Sequence, residues 1–106
     1  MSLSYEGHVE RFHPRVTTNF MVKLKLEGRT VLTRARDLSM AGLCLLGDFA
    51  ESMERVTIGI PLPDDREIVT EAVVKRRTPA TLALEFDGLD WDDFLALARY
   101  LHPRLP

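Results

Sequence analysis

Five residues in the first half of the chain have side chains or backbone suited to binding a nucleotide. Arg11 and Arg15 stand four residues apart in a stretch that an intervening proline keeps out of a helix. Guanidinium groups bind phosphates and the guanine edge through paired hydrogen bonds. Asp37, Ser39 and Gly42 follow in a second segment, where carboxylate and hydroxyl oxygens can accept hydrogen bonds from guanine N–H groups. Together the two segments indicate a site for a guanine nucleotide with exposed phosphates.

Catalytic and metal-binding patterns are weak. Ser39, Asp37 and His13 are the residue types of a hydrolase triad, but Ser39 is not in a Gly-x-Ser-x-Gly elbow. The carboxylate pairs Asp64–Asp65 and Asp92–Asp93 fall in a turn and at a helix start, which explains them structurally. The histidines lack metal-ligand spacing, and no phosphate-binding glycine loop is present. We therefore predict no catalytic residue, no metal site, no cofactor and no enzymatic activity.

Length and composition indicate one globular domain. The chain has 106 residues, of which 45% are hydrophobic and 28% charged, with a formal net charge of −2. Cys44 is the single cysteine and sits in an apolar run, so we expect a small core residue and no internal disulfide. We find no signal peptide and no apolar stretch of the ~20 residues that span a bilayer. The expected location is the cytoplasm, without membrane insertion.

Charge is unevenly placed along the chain. Basic residues predominate between residues 10 and 36, whereas every charge between residues 85 and 93 is acidic. A local basic region on a mildly acidic protein favours a small anion over a long polyanion. A nucleic-acid-binding barrel would also need aromatic residues among the basic strands for base stacking. The main candidate, Phe20, has the same parity as Val22 and Leu24, which places it with the core residues. We therefore expect no nucleic-acid partner.

Hydrophobic periodicity predicts a mainly β fold. Residues 1–15 form an arm, which we expect to be flexible, and residues 16–106 form the folded domain. Alternating apolar and polar positions predict six strands, at 20–27, 29–36, 43–46, 55–62, 67–77 and 82–86, with Asp37–Gly42 breaking the second. Helical spacing begins after Asp90, the predicted N-cap, and continues to about residue 102. The pattern predicts a six-stranded antiparallel β-barrel with a C-terminal α-helix.

Arg-x-x-x-Arg followed two strands later by Asp-x-Ser-x-x-Gly resembles the signature of the PilZ domain family. The resemblance covers nearly the whole chain and implies a six-stranded barrel of the split-barrel type that binds cyclic di-GMP. Arg11 and Arg15 match the positions expected to contact phosphates and guanine. Asp37 and Ser39 match those expected to bond guanine, and Gly42 matches a glycine that lets base and backbone approach.

The resemblance predicts a bacterial second-messenger receptor that signals when ligand orders its N-terminal arm. Because the chain is short and no output domain is attached, we expect it to act through a downstream protein partner. The alternative is a PilZ-like adaptor barrel that binds a protein partner without nucleotide.

Overall fold

The computed structural model describes residues 13–49 and 53–105. These described residues form seven strands, one α-helix (α1, Trp91–Leu101) and a final 3₁₀ turn (His102–Arg104). The strands are β1 (Val16–Thr17), β2 (Met21–Leu26), β3 (Arg29–Leu38), β4 (Gly42–Leu46), β5 (Arg55–Leu62), β6 (Arg66–Arg77) and β7 (Thr81–Phe86).

Six of these strands close into a barrel. The hydrogen-bonded order is β3-β2-β5-β6-β7-β4, and β4 pairs back onto β3, with every pairing antiparallel. Closure leaves no open sheet edge among these six strands. The prediction of a six-stranded antiparallel barrel with a C-terminal helix is confirmed.

Alternating side chains in the strands fill the barrel. In β2, Val22 and Leu24 are fully buried while Lys23 and Lys25 are exposed. The same alternation recurs in β7 and along much of β3, because side chains along a strand alternate between its two faces. One continuous apolar core results, and its largest fully buried side chains include Leu24, Leu38, Leu45, Ile58, Ile60, Ile68 and Leu82.

The C-terminal helix begins where the sequence predicts. Asp90 is the N-cap, and its Oδ1 accepts a hydrogen bond from the Asp93 backbone N–H at 2.8 Å. Leu97 and Leu101 are buried in the barrel core, which ties the helix to the sheet. The ring of Tyr100 packs edge-on against Phe20 at 6.2 Å between centroids, so the helix contacts the chain just before β2.

The structure differs from the predicted elements in two places near the motif. A two-residue strand, β1, follows Arg15 and pairs with the end of β3, which the sequence pattern does not indicate because two residues carry no periodicity. The prediction that the second strand breaks at Asp37 is wrong, since β3 continues through Leu38. The predicted 1–15 arm lies outside the described residues except for its last three.

No helix in the described part of the chain is long and apolar enough to cross a membrane.

Candidate functional site

A tight turn between β3 and β4 carries the second half of the motif. The Ser39 N–H donates to the Gly42 carbonyl at 2.9 Å, which closes the turn. The Phe86 N–H donates to the Ala41 carbonyl at 2.8 Å and fixes the turn to the end of β7. The turn is therefore held by backbone hydrogen bonds both within itself and to the neighbouring strand.

The Ser39 hydroxyl is used inside this turn. Its Oγ accepts hydrogen bonds from the backbone N–H groups of Ala41 at 3.1 Å and Gly42 at 3.3 Å. The same hydroxyl donates to the Gly42 carbonyl oxygen at 3.4 Å. A hydroxyl has one donor and two acceptor sites, so these contacts occupy its capacity. Ser39 is also 6% exposed. The geometry gives Ser39 a turn-shaping role, and its contact with guanine stays a prediction.

Gly42 is required by the close approach of two strands. A Cβ built on Gly42 would lie 1.9 Å from the Leu84 carbonyl oxygen and 3.0 Å from the Glu85 Cα, both backbone atoms of β7. Any side chain would push β4 away from β7. The sequence expectation assigned this glycine to ligand approach, whereas the structure shows a reason within the barrel itself.

A β-bulge turns Asp37 towards the outer surface. Thr33 and Ala35 are buried inside the barrel, and uninterrupted alternation would bury Asp37 beside them. The register between β3 and β4 shifts between Ala35 and Asp37, which makes Arg36 the extra residue. Asp37 consequently faces outward and Leu38 returns to the core.

Arg36 is the immediate partner of Asp37. The Arg36 Nε lies 3.0 Å from the Asp37 Oδ2, and this hydrogen bond raises the pKa of the guanidinium above its ordinary value. The Asp37 side chain is only 14% exposed, so the adjacent arginine orients a largely covered carboxylate. Sequence reasoning did not assign Arg36 to the site, although its adjacency to Asp37 was visible.

The short strand β1 brings Arg15 to the same place. Val16 pairs with Leu38 and Thr17 with Asp37, so β1 begins beside the Ser39 turn, and Arg15 directly precedes it there. The Thr18 hydroxyl donates to the Ala35 carbonyl at 2.7 Å, which secures the chain after β1. Arg15 itself is exposed.

Residues of the motif line one pocket of about 210 Å³. Four of the five predicted site residues lie in its wall: Arg15, Asp37, Ser39 and Gly42. The fifth, Arg11, lies outside the described residues. Lys75 and Glu85 complete the charged part of the wall, and sequence reasoning missed both because they belong to distant strands. The only sequence signal for Lys75 is the loss of alternation in Lys75-Arg76-Arg77 at the end of β6.

Cys44 lies next to this pocket. It pairs with Asp37 on one side and Ala83 on the other, and it is 5% exposed, as expected for a buried residue. It is not part of the continuous core that contains its neighbours Leu43 and Leu45. Burial raises the pKa of the Cys44 thiol, although the positive charges of Arg36 and Arg15 oppose that effect.

Three larger cavities lie elsewhere. Beside the C-terminal helix, one of about 630 Å³ separates the β5–β6 turn from the helix, and one of about 830 Å³ lies between residues 15–20 and Tyr100. The third, of about 370 Å³, lies between Met53 and the end of β6 and also has Lys75 in its wall. None of the three contains Asp37, Ser39 or Gly42 in its wall. Within residues 13–49 and 53–105, no cluster of three or more His, Cys, Asp or Glu residues could hold a metal ion. We place the candidate site at the smaller pocket because the predicted residues converge there.

Comparison with solved structures identifies similar barrels. The Bacillus subtilis inhibitor of motility MotI/DgrA superposes with a TM-score of 0.74 at 26% identity, over 89% of this chain and 50% of that one. The PilZ domain of YcgR from Escherichia coli, solved with c-di-GMP, superposes with a TM-score of 0.73 at 19% identity, over 89% of this chain and 90% of that one. The Borreliella burgdorferi PlzA protein in complex with c-di-GMP superposes with a TM-score of 0.66 at 17% identity, over 92% of this chain and 43% of that one. This chain thus spans half the length of the Bacillus protein.

No match was found among curated proteins. The family model of the PilZ domain matches residues 10–102, a span that includes both halves of the motif, every strand and the whole of α1. The chain belongs to the PilZ domain family.

Proposed function

We propose that this protein is a receptor for cyclic di-GMP and performs no chemistry of its own. The observation that carries the proposal is the convergence of Arg15, Asp37 and Gly42 on one pocket, although more than twenty residues separate the first from the second. Two similar barrels were solved with c-di-GMP, which supports the same ligand here. The expected location of such a second-messenger receptor is the bacterial cytoplasm.

The ligand's chemistry matches the described part of the pocket. Cyclic di-GMP carries two phosphodiester groups and two guanines, which call for cations and hydrogen-bond acceptors. Arg15 is exposed at the pocket wall and can meet a phosphate or stack on a guanine face. Asp37, held by Arg36, offers a carboxylate to guanine N–H groups. Arg11 is proposed as the second arginine of the motif.

The proposed signal is the ordering of residues 1–15 over bound ligand. Arg15 joins this segment directly to β1, which pairs beside the Asp37 carboxylate. Ligand contacts at Arg15 would therefore restrain the chain that precedes it. Ligand shifts such an equilibrium only through its greater affinity for the ordered state. Limited trypsin digestion tests this: ligand should slow cleavage after Arg11 and Arg15, while cleavage after the control residue Arg29 should not change.

Calorimetric titration tests the receptor function. Charge-assisted hydrogen bonds contribute about 1.5–3 kcal/mol each, so Arg15→Ala and Asp37→Ala should each weaken binding by roughly ten- to a hundredfold. Arg29→Ala is the matched control, because Arg29 is an exposed arginine at the β2–β3 turn and is not in the pocket wall. Wild-type affinity in both site variants would show that the ligand binds elsewhere.

A second candidate is an adaptor barrel that binds a protein without nucleotide. Trp91 and Phe94 at the start of the helix support a protein partner, since they are 68% and 40% exposed and stack at 5.5 Å. Exposed aromatic residues are enriched in protein interfaces. Wild-type protein that gives no heat with cyclic di-GMP would favour this adaptor over the receptor.

A further inference from the structure

A second β-bulge lies on the opposite wall of the pocket. The register between β6 and β7 shifts between Val74 and Arg76, which makes Lys75 the extra residue. Val74 is half-buried, whereas Lys75 and Arg76 are both exposed, so two consecutive side chains leave the interior. A bulge bends a strand and redirects a side chain. Here it places Lys75 in the wall that also contains Arg15 and Asp37.

Lys75 is held there by a weak ion pair. Its Nζ lies 3.6 Å from the Glu85 Oε1, and the two side chains are 59% and 54% exposed. Glu85 pairs directly with Gly42 across β7 and β4, so the carboxylate belongs to the motif end of the pocket. Exposed pairs of this kind contribute little to stability, because water solvates both partners when they separate. An anion that enters the pocket can therefore displace Glu85 from Lys75 at small cost.

The charges of the described wall are balanced. Arg15 and Lys75 are positive, and Asp37 and Glu85 are negative. A doubly anionic ligand gains from the two cations and is repelled by any carboxylate that faces its phosphates. Resting on the proposed receptor function, we infer that Lys75 is a phosphate-binding residue of this site and that Glu85 is the counter-ion it leaves when ligand binds.

The two members of the pair should then act on affinity in opposite directions. Lys75→Ala removes a phosphate contact and should raise the Kd for cyclic di-GMP about two- to fivefold. Glu85→Gln keeps the size of the side chain but removes the competing charge, and should lower the Kd about two- to fivefold. Lys75→Arg should retain most of the affinity. Lys25→Ala is the control, since Lys25 is an exposed strand lysine that is not in the pocket wall.

Calorimetric titration of the full chain with cyclic di-GMP at low ionic strength measures these effects, with the urea midpoint of each variant as a second readout. A purely structural ion pair predicts the same direction for both substitutions, or a change in urea midpoint without a change in Kd, and either outcome would overturn the role of Lys75. Wild-type binding together with an unchanged Kd in Lys75→Ala would overturn this inference alone. Absence of wild-type binding would overturn the receptor function and this inference with it.

Discussion

Replacing Gly42 by alanine should destabilise the barrel even without ligand. The added Cβ would lie 1.9 Å from the Leu84 carbonyl oxygen, whereas ordinary contact begins at 3.4 Å, so the β7 backbone would have to retreat by about 1.5 Å. Backbone within a closed barrel cannot rotate aside as a side chain can. The Phe86–Ala41 hydrogen bond, at 2.8 Å, lies beside the clash and would be strained with it.

The expected loss in the free energy of unfolding is about 3 kcal/mol, at the upper end of measured overpacking costs. Because a small domain is stable by only about 5–15 kcal/mol, a loss of this size is readily detected. Urea denaturation followed by circular dichroism should show the midpoint falling by roughly 1–3 M.

Gly59→Ala provides the matched control. Gly59 is also a buried strand glycine, but the nearest atom to its added Cβ is the Glu67 Oε2, at 2.8 Å, the far end of a flexible side chain. Glu67 can swing away at the expense of its exposed ion pair with Lys23, so the loss should stay below about 1 kcal/mol. Equal stability of the two variants, or a wild-type midpoint in Gly42→Ala, would refute the backbone-clash reasoning.

Three further outcomes follow from individual contacts. Ser39→Ala leaves the Ala41 and Gly42 N–H groups without their side-chain acceptor, and thermal melting should show a loss of about 1–3 kcal/mol. Asp90→Ala removes the helix N-cap and should cost about 1 kcal/mol in the same assay, with Asp92→Ala, which does not cap, costing less. The raised pKa of Cys44 means that the folded state disfavours the thiolate. The protonated thiol therefore contributes to stability at pH values below its pKa in the unfolded chain, and this contribution is lost as the pH rises through its pKa in the folded protein. A disulfide reagent at pH 8 should label the Cys44 thiol slowly in native protein and rapidly in urea-unfolded protein.

Local patterns were sufficient to predict most of the barrel. Alternation in β2 and β5 assigned Val22, Leu24, Ile58 and Ile60 to the interior, and all four are fully buried. The Asp90 cap and the change to helical spacing located the helix start. These features depend on side chains only a few residues apart, which is why sequence alone reveals them.

The details that shape the site depend on pairing between distant strands. The bulge at Arg36 is a property of the β3–β4 register, and it decides that Asp37 faces outward instead of into the core. The second bulge brings Lys75 to a pocket whose motif residues, Arg15 to Gly42, lie more than thirty positions earlier. The structural demand for glycine at position 42 comes from Leu84, on a strand that is not adjacent in sequence. Apart from the loss of alternation in Lys75-Arg76-Arg77, none of these relations leaves a periodic trace in the chain.

The most direct test of the central claim is an NMR titration of the isotope-labelled protein with cyclic di-GMP. Cyclic di-GMP binding at the proposed site should shift the amide resonances of Arg15, Asp37 and residues 39–43, with smaller changes at Lys75 and Glu85, and leave the β2–β3 turn near Arg29 unchanged. Two results would contradict the assignment of the Arg15–Asp37 pocket as the cyclic di-GMP site: an unchanged spectrum at saturating ligand, or shifts confined to residues that line the cavity between Leu62 and Tyr100 beside the helix.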